Sequence, residues 1–112
     1  MMQTTRSPNN WALYEAKAQV LKALAHPSRL MILDALADGE KCVCELQQII
    51  GSDMSTISRH LYVMKSAGLV ADRKVGTMVF YRLTASCLQQ LFACVESILR
   101  QEAESRTKLL RV

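Results

Sequence analysis

No stretch of this chain approaches the roughly 18 consecutive apolar residues that a membrane-spanning helix needs, and its opening MMQTTRSPNN lacks the apolar core of a secretion signal. Nothing therefore directs it to or across a membrane, so the expected location is the cytoplasm and no membrane is expected among its partners. Equally missing are a Ser/His/Asp set, a phosphate-cradling loop and paired carboxylates. No catalytic residue is expected, and the chain reads as a non-enzyme. There are no internal repeats, low-complexity tracts or signs of a second domain. What remains is one domain of 112 residues, half of them apolar, able to bury a modest core and to gain stability from a partner subunit. Four cysteines without a signal sequence point to reduced thiols available to metals, not to a disulfide framework.

Charge is unevenly spread. Residues 55–82 hold Arg59, Lys65, Arg73, Lys74 and Arg82 against the single acid Asp72, while the rest of the chain balances nine bases with nine acids. All the positive excess thus falls on one segment, as expected of a surface that meets phosphates.

The pattern of apolar residues gives the organisation. Residues 1–10 are polar and expected to be flexible. Leu13, Ala16, Val20, Leu21 and Leu24 have helical spacing, which predicts a helix over 11–24. His26-Pro27-Ser28-Arg29 breaks and restarts the chain, with Pro suited to a first helical turn and His26 read as a structural cap. A buried helix then runs through Leu30, Ile32, Leu33 and Leu36 to Asp38-Gly39. VCELQQII is a short amphipathic helix, Gly51-Ser52-Asp53 a turn, and MSTISRHLYVMKSAG a second helix dense in hydroxyls and cations, ended by Gly68. Helix, tight turn and polar-faced helix make a helix-turn-helix. Leu69–Val75 and Met78–Leu83 flank Gly76-Thr77 as a two-stranded hairpin, which in that place is a wing. From Thr84 onward the chain is helical again, with an apolar stripe of Leu88, Leu91, Phe92, Val95 and Leu99 too wide for one small core. The expected fold is mainly α (α+β), a winged helix-turn-helix over 11–103 with a tail at 104–112, forming a homodimer through its terminal helices.

Within that frame, Ser55, Thr56, Ser58, Arg59 and His60 occupy the early recognition helix, the part that enters the major groove, with Lys65 further along it. Arg59 can read a guanine, the hydroxyls serve bases or phosphates, His60 either meets a phosphate or supports its neighbours, and Arg73 and Lys74 on the wing suit the backbone. Ile57, Leu61 and Met64 have the inward spacing. Cys42 and Cys44 open the first helix of the pair. Thiolates select soft ions over Mg²⁺ or Ca²⁺. Residues i and i+2 of a helix point roughly 200° apart, so both thiols reach one atom only if the start of the helix deforms. Cys87 and Cys94 share one face of the last helix and read as packing, with a third ligand or a redox pair as the sharper alternatives. A C-x-C thiol oxidoreductase fits poorly, because such enzymes use C-x-x-C on a βαβ framework.

The segments LAHPSRLMIL, KCVCEL, MSTISRHLYVMKSAGLV and DRKVGTMVFYRL, in this order and spacing over about residues 13–102, resemble the ArsR/SmtB repressors of bacteria. Those are small dimeric winged-helix proteins that leave operator DNA when a metal or metalloid binds. KCVCEL is similar to the Glu-Leu-Cys-Val-Cys-Asp-Leu run of the arsenic- and antimony-responsive members, matching at Glu40, Cys42, Val43, Cys44 and Leu46. Lys41 and Glu45 depart from it, and Gln47 stands where some members carry a third cysteine. The cadmium- and lead-responsive members add N-terminal cysteines that this chain lacks. The Asp, two His and Glu of the zinc-responsive members correspond here to Ala85, Cys87, Ile98 and Gln101. The resemblance implies a repressor that binds double-stranded operator DNA as a homodimer without a cofactor. As(III) or Sb(III) at Cys42 and Cys44 would release it, with a third sulfur from Cys87, Cys94 or a small thiol. The alternative is the same fold responding to cadmium, lead or thiol redox state.

Overall fold

The computed structural model describes residues 8–111. Along them run α1 (Pro8–Leu24), α2 (Pro27–Ala37), β1 (Lys41–Cys42), α3 (Val43–Ile50), α4 (Met54–Ser66), β2 (Val70–Val75), β3 (Met78–Leu83) and α5 (Leu88–Leu110). Each joint has a local cause. His26 caps α2 by accepting the Ser28 N–H on Nδ1 at 3.0 Å, and Pro27 opens the first turn. Gly51 ends α3 at φ 86°, a left-handed conformation that a side chain would strain. Asp53 caps α4 by accepting the Thr56 N–H at 2.8 Å. At the other end of α4, the Leu69 N–H reaches the Met64 carbonyl and the Gly68 N–H reaches that of Lys65, both at 2.9 Å. This paired closure throws the chain straight into the wing.

The wing differs from expectation by one strand. Lys41 pairs with Tyr81 and Cys42 with Phe80, so the sheet is three-stranded and antiparallel in the order β1-β3-β2. Two residues carry no periodic signal; β1 exists because the free edge of β3 offers backbone partners to the chain leaving α2. Cys42 is therefore not in the helix at all. Thr84 is not helical either. Its N–H bonds the Leu69 carbonyl at 3.1 Å and closes the sheet, which delays α5 to Leu88.

The core lies where α2, α3 and α4 meet the sheet, and Ile32, Leu33, Leu46, Ile57, Leu61 and Met64 are wholly inaccessible. Burying each such side chain stabilises the domain by about 1.5–3 kcal/mol. Leu88, expected on a subunit interface, is buried in this core instead, and Phe92 packs against its edge. Leu91, Val95 and Leu99 remain exposed. Of the segment expected to be flexible, residues 1–7 lie outside the described residues and Pro8 to Asn10 already belong to α1. Residues 104–110, expected as a tail, continue α5, since no Gly or Pro interrupts them and Glu96–Arg100 and Glu102–Arg106 pair one turn apart.

Candidate nucleic-acid interface and thiol site

Helix α4 sorts its residues cleanly at 100° per step. Ile57, His60, Leu61 and Met64 point inward and are buried, whereas Ser55, Arg59, Tyr62 and Ser66 form the outward stripe, with Ser58 beside it. Ser55 donates its hydroxyl to the capping Asp53 at 3.0 Å, and Thr56 is half-buried at the stripe's flank. Tyr62 is the residue that sequence reasoning overlooks, although its place seven residues after Ser55 puts it on the same face. Its side chain is 72% exposed in the middle of the stripe.

His60 does not face DNA. It is 6% exposed, accepts the Arg29 Nε–H on Nδ1 at 3.1 Å, and its ring lies 4.5 Å from that of His26. Burial, joined by His26, Arg29 and Arg59, holds its pKa below the ordinary histidine value, so the neutral acceptor form is favoured. His60 is thus a strut between α2 and α4, and the reading of it as a phosphate contact is withdrawn.

Two of the expected phosphate contacts are already engaged. Lys65 pairs with Asp72 at 3.0 Å. Arg73 grips Glu40 through two nitrogens at 2.7–3.0 Å and lies over the Phe80 ring. The same grip pushes the Glu40 carboxyl down and the Arg73 guanidinium up in pKa. Both pairs are solvent-exposed and therefore weak and screened, so a phosphate can compete for them. Lys74 makes no ion pair among the described residues and is the free cation of β2.

The cysteines occupy opposite environments. Cys42 sits at the N-cap of α3 in extended backbone (φ −80°, ψ 163°), 5% exposed, and its N–H donates to Glu45 Oε1 at 3.0 Å. That bond lowers the pKa of Glu45. Cys44, in the first helical turn, is exposed. Because Cys42 precedes the helix, the pair is not locked at the helical angle. Cys87, the N-cap residue that precedes α5, and Cys94 within the helix are both exposed, and no group of three metal-binding side chains forms among the described residues. Within one subunit the third ligand is thus not assembled.

The model of the bacterial regulatory protein, arsR family, matches residues 26–72, the stretch from the His26 cap through α4 into the wing. A transcriptional regulator of Methanocaldococcus jannaschii with a helix-turn-helix is 38% identical over 86 residues, 76% of this chain and 97% of the relative. This chain belongs to the ArsR family. It is thereby a DNA-binding transcriptional regulator, not an enzyme. The biofilm growth-associated repressor of Xylella fastidiosa is 41% identical to this ArsR-family chain over 81 residues, 72% of it and 71% of the relative. A homologue of the cadmium resistance regulatory protein CadC from Staphylococcus aureus is 40% identical over 75 residues, 66% and 62% of the two chains. Among solved structures, the homodimeric winged helix-turn-helix DNA-binding domain from Mycobacterium bovis superposes with a TM-score of 0.76 at 38% identity, covering 88% of this chain and 92% of that one. A protein described as a possible transcriptional regulator for arsenical resistance superposes at 0.58 with 38% identity, covering 71% and 82%. The winged architecture expected from the sequence agrees with these structures. No described helix is long and apolar enough to cross a membrane.

Proposed function

We propose that this ArsR-family regulator represses transcription as a homodimer and leaves its operator when trivalent arsenic or antimony is captured by Cys42 and Cys44. The observation that carries the reading is the position of Cys42 at the joint between β1 and α3. One buried thiol there holds the wing sheet to the helix-turn-helix, and one exposed thiol stands two residues on. Soft, thiophilic ions suit such a pair, and a third sulfur comes from a small thiol or from Cys87 or Cys94 of either subunit. In this reading Cys42 gives up its burial to reach the shared atom, and that movement strains the β1–β3 pairing and the Glu45 bond made by its backbone. Glu40, two residues upstream, then loses its place beside Arg73. Capture of the ion and DNA affinity are thus linked through both the wing and the recognition helix, and linkage requires the operator to oppose the ion by the same factor.

On the DNA side, Arg59 with Ser55 and Ser58 reads base edges, while Lys74, and Arg73 and Lys65 once released from their carboxylates, meet phosphates. The dimer uses Leu91, Val95 and Leu99 of α5. They border an apolar groove of about 380 Å³, closed on its other side by Leu21 and Leu24 of α1, which a partner helix fills. The test is release of labelled operator titrated in parallel with arsenite, antimonite, cadmium, lead and zinc under reducing conditions. Release by arsenite and antimonite at the lowest concentrations supports the reading. Release by cadmium alone would transfer the site to soft divalent ions, as the name of the Staphylococcus relative suggests, and release only on removal of reductant would make it a redox switch.

A further inference from the structure

A cleft of about 370 Å³ opens between α1 and α4. Gln19 and Lys22 of α1, Arg29 of α2, and Tyr62 and Ser66 of α4 line it along with small apolar side chains; every polar group among them can donate a hydrogen bond, and no carboxylate lines the cleft. Arg29 is committed to His60 and to the Ala23 carbonyl, so it supplies positive field more than a free donor. Lys22 forms no salt bridge, and the Tyr62 hydroxyl no hydrogen bond, among the described residues. This open aromatic ring of the recognition helix has no hydrogen-bond or ring-stacking partner among the described residues.

Three placements indicate what comes to it. Tyr62 and Ser66 belong both to the cleft and to the outward stripe of α4, so a duplex laid along the stripe covers the cleft's mouth. Tyr62 lies about 10 Å along the helix from Ser55, close to the roughly 12 Å width of the major groove, so its hydroxyl reaches the strand that borders the groove when Ser55 is inside. Lys22 points about 180° away from Leu13 and about 200° away from Val20 around α1, which keeps it clear of that helix's apolar side.

We propose that this cleft seats a backbone phosphate of operator DNA, gripped by the Lys22 ammonium and the Tyr62 hydroxyl. It adds α1 to the recognition helix and wing as a third DNA-contacting element. The inference rests on DNA binding by the family and stands independently of the metalloid site.

The experiment measures affinity for the operator and for an unrelated duplex as a function of salt, for the wild type, Lys22→Gln and Tyr62→Phe. Lys22→Gln removes one contact per half-site, so it should lower the log–log salt slope of the dimer by about 1.8 and weaken both duplexes by about thirtyfold at 0.15 M salt. Tyr62→Phe keeps the ring and, with one hydrogen bond lost in each half-site, should weaken both by a common factor between about four and a hundred. Phosphate-ethylation interference on the wild-type complex, which needs no substitution to fold, should show a phosphate in each half-site whose effect disappears with Lys22→Gln. An unchanged slope and unchanged interference for Lys22→Gln would overturn the proposal. So would a Tyr62→Phe loss confined to the operator, which would mean base reading. Inorganic phosphate that binds the wild type but not Lys22→Gln in calorimetry, yet leaves operator affinity unchanged at constant ionic strength, would also overturn it, because the cleft would then be a site for a free anion.

Discussion

Replacing Cys44 with serine should make operator release insensitive to arsenite while leaving apo-protein DNA affinity within about twofold, because an exposed surface substitution changes stability by only about 0.5 kcal/mol. Bringing the buried Cys42 thiol out costs about 1–2 kcal/mol of burial. The two-residue β1 pairing adds about 0.5–1.5 kcal/mol per hydrogen bond, and the solvent-screened Glu45 bond to the Cys42 N–H adds less. The exposed Glu40–Arg73 pair adds only a small, solvent-screened contribution. The DNA-competent form is therefore held by a few kcal/mol, against the roughly 5.5 kcal/mol of differential binding that moves a two-state equilibrium from 1:99 to 99:1. Two thiolates closing on one ion supply that difference and one does not, since the second bond forms at the effective concentration of a tethered group. The release midpoint should move up by about a hundredfold or more. Cys42→Ser should be equally insensitive, but with a melting temperature changed by a few degrees. It buries a hydroxyl at a cost of about 1–3 kcal/mol and recovers about 1 kcal/mol if that hydroxyl caps α3. Fluorescence anisotropy of labelled operator, titrated with arsenite under reducing conditions, reads both variants. Release of both at the wild-type arsenite concentration would show that the pair packs the joint and senses nothing.

Arg59→Ala should relax base preference at one position in each half-site by about 1–3 kcal/mol, whereas Lys74→Ala should weaken all duplexes alike and lower the salt slope by about one per subunit, about two for the dimer; the reverse pattern in binding-site selection would exchange their roles. Arg73→Ala should cost less than Lys74→Ala, because it also frees Glu40 from its pair, and a larger loss would show that Arg73 leaves Glu40 to meet DNA. Leu99→Asp should shift the protein to monomer at micromolar concentration and abolish operator binding, with sedimentation equilibrium as the check; a persistent dimer would place the interface elsewhere. The buried, neutral His60 predicts a pH effect on stability. Its folded-state pKa lies below the ordinary 6.5, so the unfolded chain takes up the proton first. The stabilisation is full above pH 6.5 and is lost as pH falls from there through the folded-state value. His60→Gln, which retains an acceptor for Arg29, should flatten that part of the curve of urea midpoint against pH, and an unflattened curve would assign the titration to another group.

The helices, the Gly51 turn, the Gly68 stop and the two-residue turn at Gly76 could be read directly, because each depends on side chains within a few residues of one another: helical periodicity, a cap, a positive φ. The same holds for the inward face of α4, where Ile57, Leu61 and Met64 repeat at helical spacing. The cysteine pair was equally visible as a candidate soft-ion site. Its geometry was not, because β1 owes its existence to the edge of β3, nearly forty residues downstream, and Cys42 belongs to that strand instead of to the helix its neighbours form. Long-range pairing decided the rest. Arg73 looked like a free wing cation until folding brought it against Glu40, and His60 looked like a helix-surface contact until α2 delivered Arg29 and His26 to it. Lys22 and Tyr62 face one cleft only because α1 packs beside α4. Local rules set where the chain turns and which face is apolar, but which charge is neutralised, which thiol is buried and which donors converge are properties of neighbours in space, and only the tertiary fold assigns those.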